Sequence, residues 1–572
     1  MNISGLLNRL PAASWAREYN KQQLSDDGLA AVIVTIMLIP QSLAYALLAG
    51  LPPQMGLYAS ISPLIAYALF GSSRVLAVGP VAVVSLMTAA TLGKLGLGDD
   101  IAALTEAAVT LAFISGVMMA ILGMLRAGVI ANFLSHPVIS GFITASGVLI
   151  AISQLKHILG IKVSGHNLPE IVGSLFSNLG NMNIITAIIG VLTVAFLFWV
   201  RKGLKPLLLA RGMSKTMADV GAKAGPVLSI VVMTSLVWIF SLDENGVKIV
   251  GEIPMGLPPM TMPSFDPALW ATLAPSAFLI SLIGFVESIS IAQTLAAKER
   301  QRIEPNFELA GLGAANIAAA MTSGYPVTGG FARSVVNYDA GAKTPLAGVF
   351  TAGGILLTAL LLTPLFYYLP NAVLAATIIV AVLSIVDIDA IKHIYSYSKR
   401  DFAALAVTIL GVWLVGVEAG VMAGVATALG LFLWRTARPH YAIVGRVGNS
   451  EHFRNILRHA VTTHPALLCL RIDESLYFAN ARFLEDTVLA EVSDNPDIKH
   501  VILQCTAVNE VDASAMDALE NLNRRLIDMK VDLHLTEVKG PVMDQLSRSH
   551  FLTHLSGDVH LTQFQAWEKL TA

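Results

Sequence analysis

The chain has 572 residues, of which 55% are hydrophobic and only 13% charged. Soluble proteins carry about twice that charge, so most of this chain belongs in a bilayer. The formal net charge of -2 supplies no global field to recruit nucleic acid, and two cysteines, Cys469 and Cys505, exclude a disulfide framework.

The first 27 residues mix Arg9, Arg17 and Lys21 with Glu18, Asp26 and Asp27. They lack the basic, apolar, small-residue order of a cleaved leader and predict a short cytosolic segment. At about 20 apolar residues per crossing, the first seven spans fall near 28–49, 54–70, 75–93, 101–125, 128–152, 184–200 and 225–242. Seven more fall near 269–297, 307–322, 327–340, 345–363, 370–386, 402–417 and 419–435, with 166–182 suited to a surface helix. The link after the sixth span carries Arg201, Lys202, Lys205, Arg211, Lys215 and Lys223 against Asp219, which makes it cytosolic. Lys298, Arg300 and Arg302, and then Lys392, Lys399 and Arg400, mark the same side, whereas Asp243, Glu244 and Glu252 mark the other. Both termini are therefore cytosolic. Seven spans per half is odd, so the second half enters from the opposite face, the condition for an inverted repeat.

Residues 437–572 have the composition of a soluble domain. Apolar runs at 441–447, 466–472, 500–505 and 531–536 alternate with helical patterns near 480–492, 513–528 and 540–549. That order predicts an α/β domain with a parallel sheet. Three segments follow: 1–27 cytosolic, 28–436 transmembrane and 437–572 soluble.

Two breaks interrupt the apolar spans at corresponding places, VGPVA (Val78 to Ala82) and GYPVTGGFARS (Gly324 to Ser334). Such breaks mark helices that start inside the membrane with backbone N–H groups open to a solute. Val81 and Ala82 supply one such end; Gly330, Phe331 and Ala332 supply the other. Arg333 adds a guanidinium whose planar donor fork suits an oxyanion. A charge at that depth needs protein, water or an anion around it, and an ion pair with a buried carboxylate is the alternative. Glu287, in SLIGFVESISIAQ, is the acid for either role, a proton-coupling site or the partner of Arg333. Gln41 and Tyr45, one turn apart on the first span, either line the cavity or bond to neighbouring helices. In VDASAMDAL, Asp512 reads as a helix N-cap, and Ser514 stands at an exposed turn where phosphorylation is the competing reading. No metal-ligand spacing, nucleophile elbow or phosphate-binding loop occurs, so the sequence gives no support for an enzyme or a cofactor.

These segments resemble the sulfate permease (SulP) family of anion transporters, relatives of plant sulfate transporters, prestin and pendrin. The matching stretches are IPQSLAYALLAGLPPQMGLY (Ile39 to Tyr58), GSSRVLAVGPVAVVS (Gly71 to Ser85), GFVESISIA (Gly284 to Ala292) and SGYPVTGGFARSVVN (Ser323 to Asn337). The soluble tail is similar to a STAS domain. The resemblance implies a seven-plus-seven inverted repeat with core and gate domains, homodimeric, binding its anion between the third and tenth spans. Gln41 and Arg333 match substrate-contacting positions of plant sulfate transporters, and Glu287 matches the acid linked to protons there. Sodium-dependent bicarbonate members have aspartate at the Glu287 position and small or hydroxylated ligands where this chain has Ile291 and Phe331, which favours protons over sodium. Gly330 replaces the serine of plant sulfate transporters. Ala513 stands where anti-sigma antagonists have their phosphorylated serine.

The expected function is proton-coupled uptake of an inorganic anion, sulfate first, by an elevator movement in the plasma (inner) membrane. Bicarbonate or C4-dicarboxylate transport, electroneutral anion exchange, or an anion sensor signalling through a cytosolic protein partner of the STAS domain are the alternatives.

Overall fold

A computed structural model describes residues 11–572 except 18, 99, 134, 166, 215–217, 219–220 and 222–224. Arg9, Glu18, Lys215, Asp219 and Lys223 of the sequence argument lie outside the described residues. The chain divides into two compact units, Met1–Thr427 and Ala428–Ala572.

In the first unit the helices of the first half are α1 (Lys21–Leu48), α2 (Pro53–Tyr58), α3 (Ser62–Phe70), α4 (Ala82–Lys94), α5 (Ile101–Met124), α6 (His136–Leu159), α7 (Ile184–Trp199) and α8 (Gly225–Ile239). The second half contributes α9 (Pro267–Lys298), α10 (Pro305–Met321), α11 (Phe331–Asp339), α12 (Leu346–Leu361), α13 (Asn371–Leu383), α14 (Lys399–Leu414) and α15 (Val417–Ala437). Among the described residues, seven helical stretches are long and apolar enough to cross a membrane unaided.

Several predicted bounds shift for local reasons. The second span is two helices, because Ser62 and Pro63 start a new one after the turn at 59–61. The fifth begins at His136 rather than 128, with Pro137 in its first turn, a position where the missing N–H costs nothing. The first starts at Lys21, capped reciprocally by Asn20 and Gln23, so Asp27 lies inside a helix and is fully buried rather than in a cytosolic tail.

The closest helix packing falls within two groups, α1 to α5 with α9 to α12, and α6 and α7 with α13 and α14. Small residues allow close crossing of α5 and α10. A Cβ on Gly116 of α5 would meet the Gly313 carbonyl of α10 at 2.8 Å, and a Cβ on Gly313 would meet that of Gly116 equally closely. The strands β1 (Val78–Gly79) and β2 (Thr328–Gly329) pair antiparallel, with Val78 opposite Gly329 and Gly79 opposite Thr328.

The second unit holds a six-stranded sheet of β3 (Tyr441–Arg446), β4 (Phe453–Asn455), β5 (Leu467–Ile472), β6 (His500–Gln504), β7 (Asp532–Thr536) and β8 (Val559–His560), in the order β4-β3-β5-β6-β7-β8. Strands β5, β6 and β7 are parallel as predicted, and β8, outside the predicted runs, pairs parallel with β7; β3 runs antiparallel to both neighbours, so the sheet is mixed. Alternation decides which face each side chain meets. Leu468, Leu470, Val501 and Leu503 pack with α16 (Ala481–Asp494) and α17 (Ala513–Asp528), while Cys469 and Ile502 pack with α18 (Gln563–Thr571). Burial pushes both thiols up to about 12, so they are protonated core residues.

Candidate functional site

The paired breaks build the site. After β1 comes Pro80, then α4 begins at Ala82; after β2, α11 begins at Phe331. Neither helix has a side chain capping its first turn. The first bonds back into these helices run from Ser85 N–H to the Val81 carbonyl and from Ser334 N–H to the Gly330 carbonyl. The N–H groups of residues 82–84 and 331–333 are therefore left open, at ends that each carry about half a positive charge.

Polar side chains lock the crossing in place. Asn316 of α10 accepts from Val327 N–H and donates to the Val327 carbonyl, both at 2.9 Å. Ser288 of α9 accepts from Gly329 N–H at 2.8 Å and shares a 2.7 Å bond with Thr328, which donates to the Gly284 carbonyl. From α11, Ser334 accepts from Ala77 N–H and Asn337 donates to the Val75 carbonyl, each at 3.0 Å. The two breaks are thus one unit, carried by α9, α10 and α11.

Arg333 is 2% exposed. Its Nη1 donates to the Val78 carbonyl at 3.4 Å and its Nη2 to the Pro80 carbonyl at 2.5 Å, while Nε is buried without a partner. Gly79 makes room for it: a Cβ there would collide with Nη1, and the glycine holds a φ of +156°. Glu287, Tyr45 and Tyr325 lie within electrostatic reach of the guanidinium. Tyr325 shares a 3.2 Å bond with Ser85 of α4.

The expected site residues separate. Val81 and Ala82 are buried at the start of α4, and Arg333, Tyr45 and Glu287 gather around that point. Glu287 makes no ion pair with Arg333; one carboxylate oxygen is buried with no partner, beside Phe142 and Val421. The ion-pair alternative therefore fails in this structure. Gln41 is half-buried on α1, one turn before Tyr45. One expectation needs correction. The Gly330 N–H is not open, because it donates to the Ala77 carbonyl at 3.1 Å to extend the strand pairing. The Phe331 side chain is 50% exposed and that of Ala332 is exposed, and their backbone N–H groups belong to the open first turn of α11. Tyr325, Ser85, Ser288, Thr328 and Asn316 escaped the sequence reading. A short polar residue facing each break was the available signal.

In the second unit Asp512 caps α17, accepting from Ala515 N–H, and its other oxygen accepts from Phe478 N–H, both at 2.8 Å. Ser514 is exposed. His500, Asp532 and His534 cluster at ligand spacing, as do His534, Asp558 and His560. Sequence spacing hides this set, since its members come from different strands. A metal fits poorly there. His534 Nδ1 accepts from Asp558 N–H at 3.0 Å, so Nε2 carries the proton and faces His500 Nδ1 at 3.3 Å, which leaves His534 no lone pair to donate.

Comparisons with known proteins agree with this geometry. The profile of the Sulfate permease family matches residues 24–408 and that of the STAS domain residues 458–563. Sulfate transporter 4.1, chloroplastic, of Arabidopsis thaliana is 36% identical over 96% of this chain and 82% of its own. High affinity sulfate transporter 2 of Stylosanthes hamata is 33% identical over 97% and 85%. The fold is similar to that of the murine Solute Carrier 26 family member A9 anion transporter in the inward-facing state, with a TM-score of 0.90 at 24% identity, covering 100% of this chain and 96% of that one. The transmembrane domain of a cyanobacterium bicarbonate transporter BicA matches 72% of this chain and 99% of its own, with a TM-score of 0.59 at 20% identity. The chain belongs to the sulfate permease family of multi-pass anion transporters and ends in a STAS domain.

Proposed function

We propose that this protein takes up sulfate together with a proton, and that the anion binds where the uncapped starts of α4 and α11 meet Arg333. The observation that carries the reading is the pair of open helix ends around one buried guanidinium with an unpartnered Nε. N–H groups and a guanidinium are donors only, so the ligand is an acceptor-rich anion. Relatives named sulfate transporters make sulfate the first choice.

Charge counting supplies the coupling. Sulfate, Arg333 and an ionised Glu287 total -2 + 1 - 1 = -2, and a proton on Glu287 reduces this to -1. An unpaired buried charge costs several kcal/mol, so sulfate and proton favour each other's binding, reciprocally. The two packing groups of helices support an elevator movement of one past the other. Cytosolic termini, a homodimer, a plasma-membrane location and a protein partner for the STAS domain complete the reading.

The test is sulfate flux into proteoliposomes under an inside-alkaline gradient. Arg333→Ala abolishes flux in folded protein, and Glu287→Gln transports without following the gradient. Gradient-driven flux that survives in Glu287→Gln overturns the proton assignment, and flux that survives in Arg333→Ala overturns the site.

A further inference from the structure

A second basic feature lies along the same helices, away from the central site. The ends of α1, α4 and α6 and the start of α15 enclose a cavity of about 550 Å³ lined by Lys94, Gln154, Lys156 and Glu418. That volume is within the usual range for small-ligand sites, about 300–1,000 Å³. Leu48 and Leu86 also line it; they lie one turn beyond Tyr45 on α1 and Ala82 on α4. At 1.5 Å per residue the cavity therefore begins about 6 Å beyond the start of α4.

Its charges are not balanced. Glu418 is the acid in the lining, and it is committed, accepting from Lys94 and from Ser276 Oγ at 2.7 Å. Among the described residues the Lys156 ammonium has no hydrogen-bond or ion-pair partner, and Lys248 adds a like charge within electrostatic reach. Gln154 is 3% exposed, and its amide has only a 3.5 Å contact to Ser153. A locally positive, amide-lined cavity is an arrangement that favours anions.

We propose that this cavity is a docking site for the transported oxyanion, with Lys156 as its charge and the Gln154 amide as donor, occupied before the anion reaches Arg333. It rests on the central site's being an oxyanion site, and it adds a station that raises local anion concentration. Lys94 and Lys156 also stand in the last turns of α4 and α6, where a cation offsets the helix dipole. A dipole role alone makes stability respond to Lys156→Gln, and sulfate protection remain.

The experiment places a reporter thiol in the full chain by Ser153→Cys, the native Cys469 and Cys505 being buried. Its modification by an anionic methanethiosulfonate is followed with and without sulfate, against gluconate at matched ionic strength. Sulfate is expected to slow the reaction about tenfold, Lys156→Gln to remove the protection, and Arg333→Ala to leave it. Absent protection, protection that survives Lys156→Gln, or protection lost with Arg333→Ala overturns the proposal. Protection in a protein that moves no sulfate sinks the transport reading and leaves this site standing.

Discussion

Glu287 and Glu308 are both carboxylates within the membrane unit, and their surroundings are opposite. Glu308, fully buried on α10, accepts four hydrogen bonds: from Tyr67 Oη at 2.8 Å, Ser72 N–H at 2.9 Å, Ser72 Oγ at 2.7 Å and Ser73 N–H at 2.8 Å. Asp27 is similar, accepting from Lys343 N–H, Thr344 N–H and Thr344 Oγ1. Each ties down a connection from the other half of the chain. Glu287 takes no hydrogen bond and leaves an oxygen orphaned. A saturated buried charge fixes structure, whereas one left open is available to a proton or an ion.

The sharpest way to break that contrast is to remove each carboxylate. Glu308→Ala strands four donors, two of them on the buried Tyr67 and Ser73, and is expected to cost about 3–5 kcal/mol, read as a large fall in thermal stability and yield. Glu287→Gln removes no bond and leaves the melting temperature level or higher. Equal destabilisation by the two substitutions would erase the distinction. Next in size is Gly79→Ala. The added methyl displaces the Arg333 guanidinium from the Val78 and Pro80 carbonyls and meets an unfavourable φ. Loss of charge-assisted bonds to the anion, about 1.5–3 kcal/mol, corresponds to a flux about ten- to a hundredfold lower in folded protein. Unchanged flux would mean that the guanidinium position does not matter.

Arg333, Glu287 and both helix breaks were legible because charge, proline and glycine are conspicuous within apolar runs. Glu308 and Asp27 were not, for the reason that makes them structural: their partners include backbone N–H groups some 240 and 320 residues away, and backbone donors leave no mark in a sequence. The same applies to Gly330, whose N–H is taken by a strand pairing only two residues long on each side. In the soluble domain the parallel strands β5, β6 and β7 were readable from their apolar runs. The reversal of β3 was not, since strand direction is set by the connection and not by composition.

The STAS domain holds the same contrast in milder form at His534. The ring is buried and saturated only while neutral, its Nδ1 accepting from Asp558 N–H and its Nε2 facing His500. A proton on Nδ1 would put two donors face to face. Burial first, then the nearby His500 and His560, lower its pKa to about 4, against the pull of Asp532 and Asp558. An unfolded histidine titrates near 6.5. Above that pH neither state is protonated and the residue contributes nothing to pH dependence. Between about 6.5 and 4 the unfolded chain binds a proton that the folded one refuses, so stability falls as pH falls. With solvent screening the loss is about 2 kcal/mol, smaller than at Glu308 because protonation strands one donor rather than four. Hydrogen exchange in β7 of the full chain, corrected for intrinsic rates, should speed up from pH 7 to pH 5, and His534→Gln, which can still accept from Asp558 N–H, should flatten the response. Protection in β7 that is the same at both pH values would show that a histidine saturated when neutral is as tolerant of a proton as one left open.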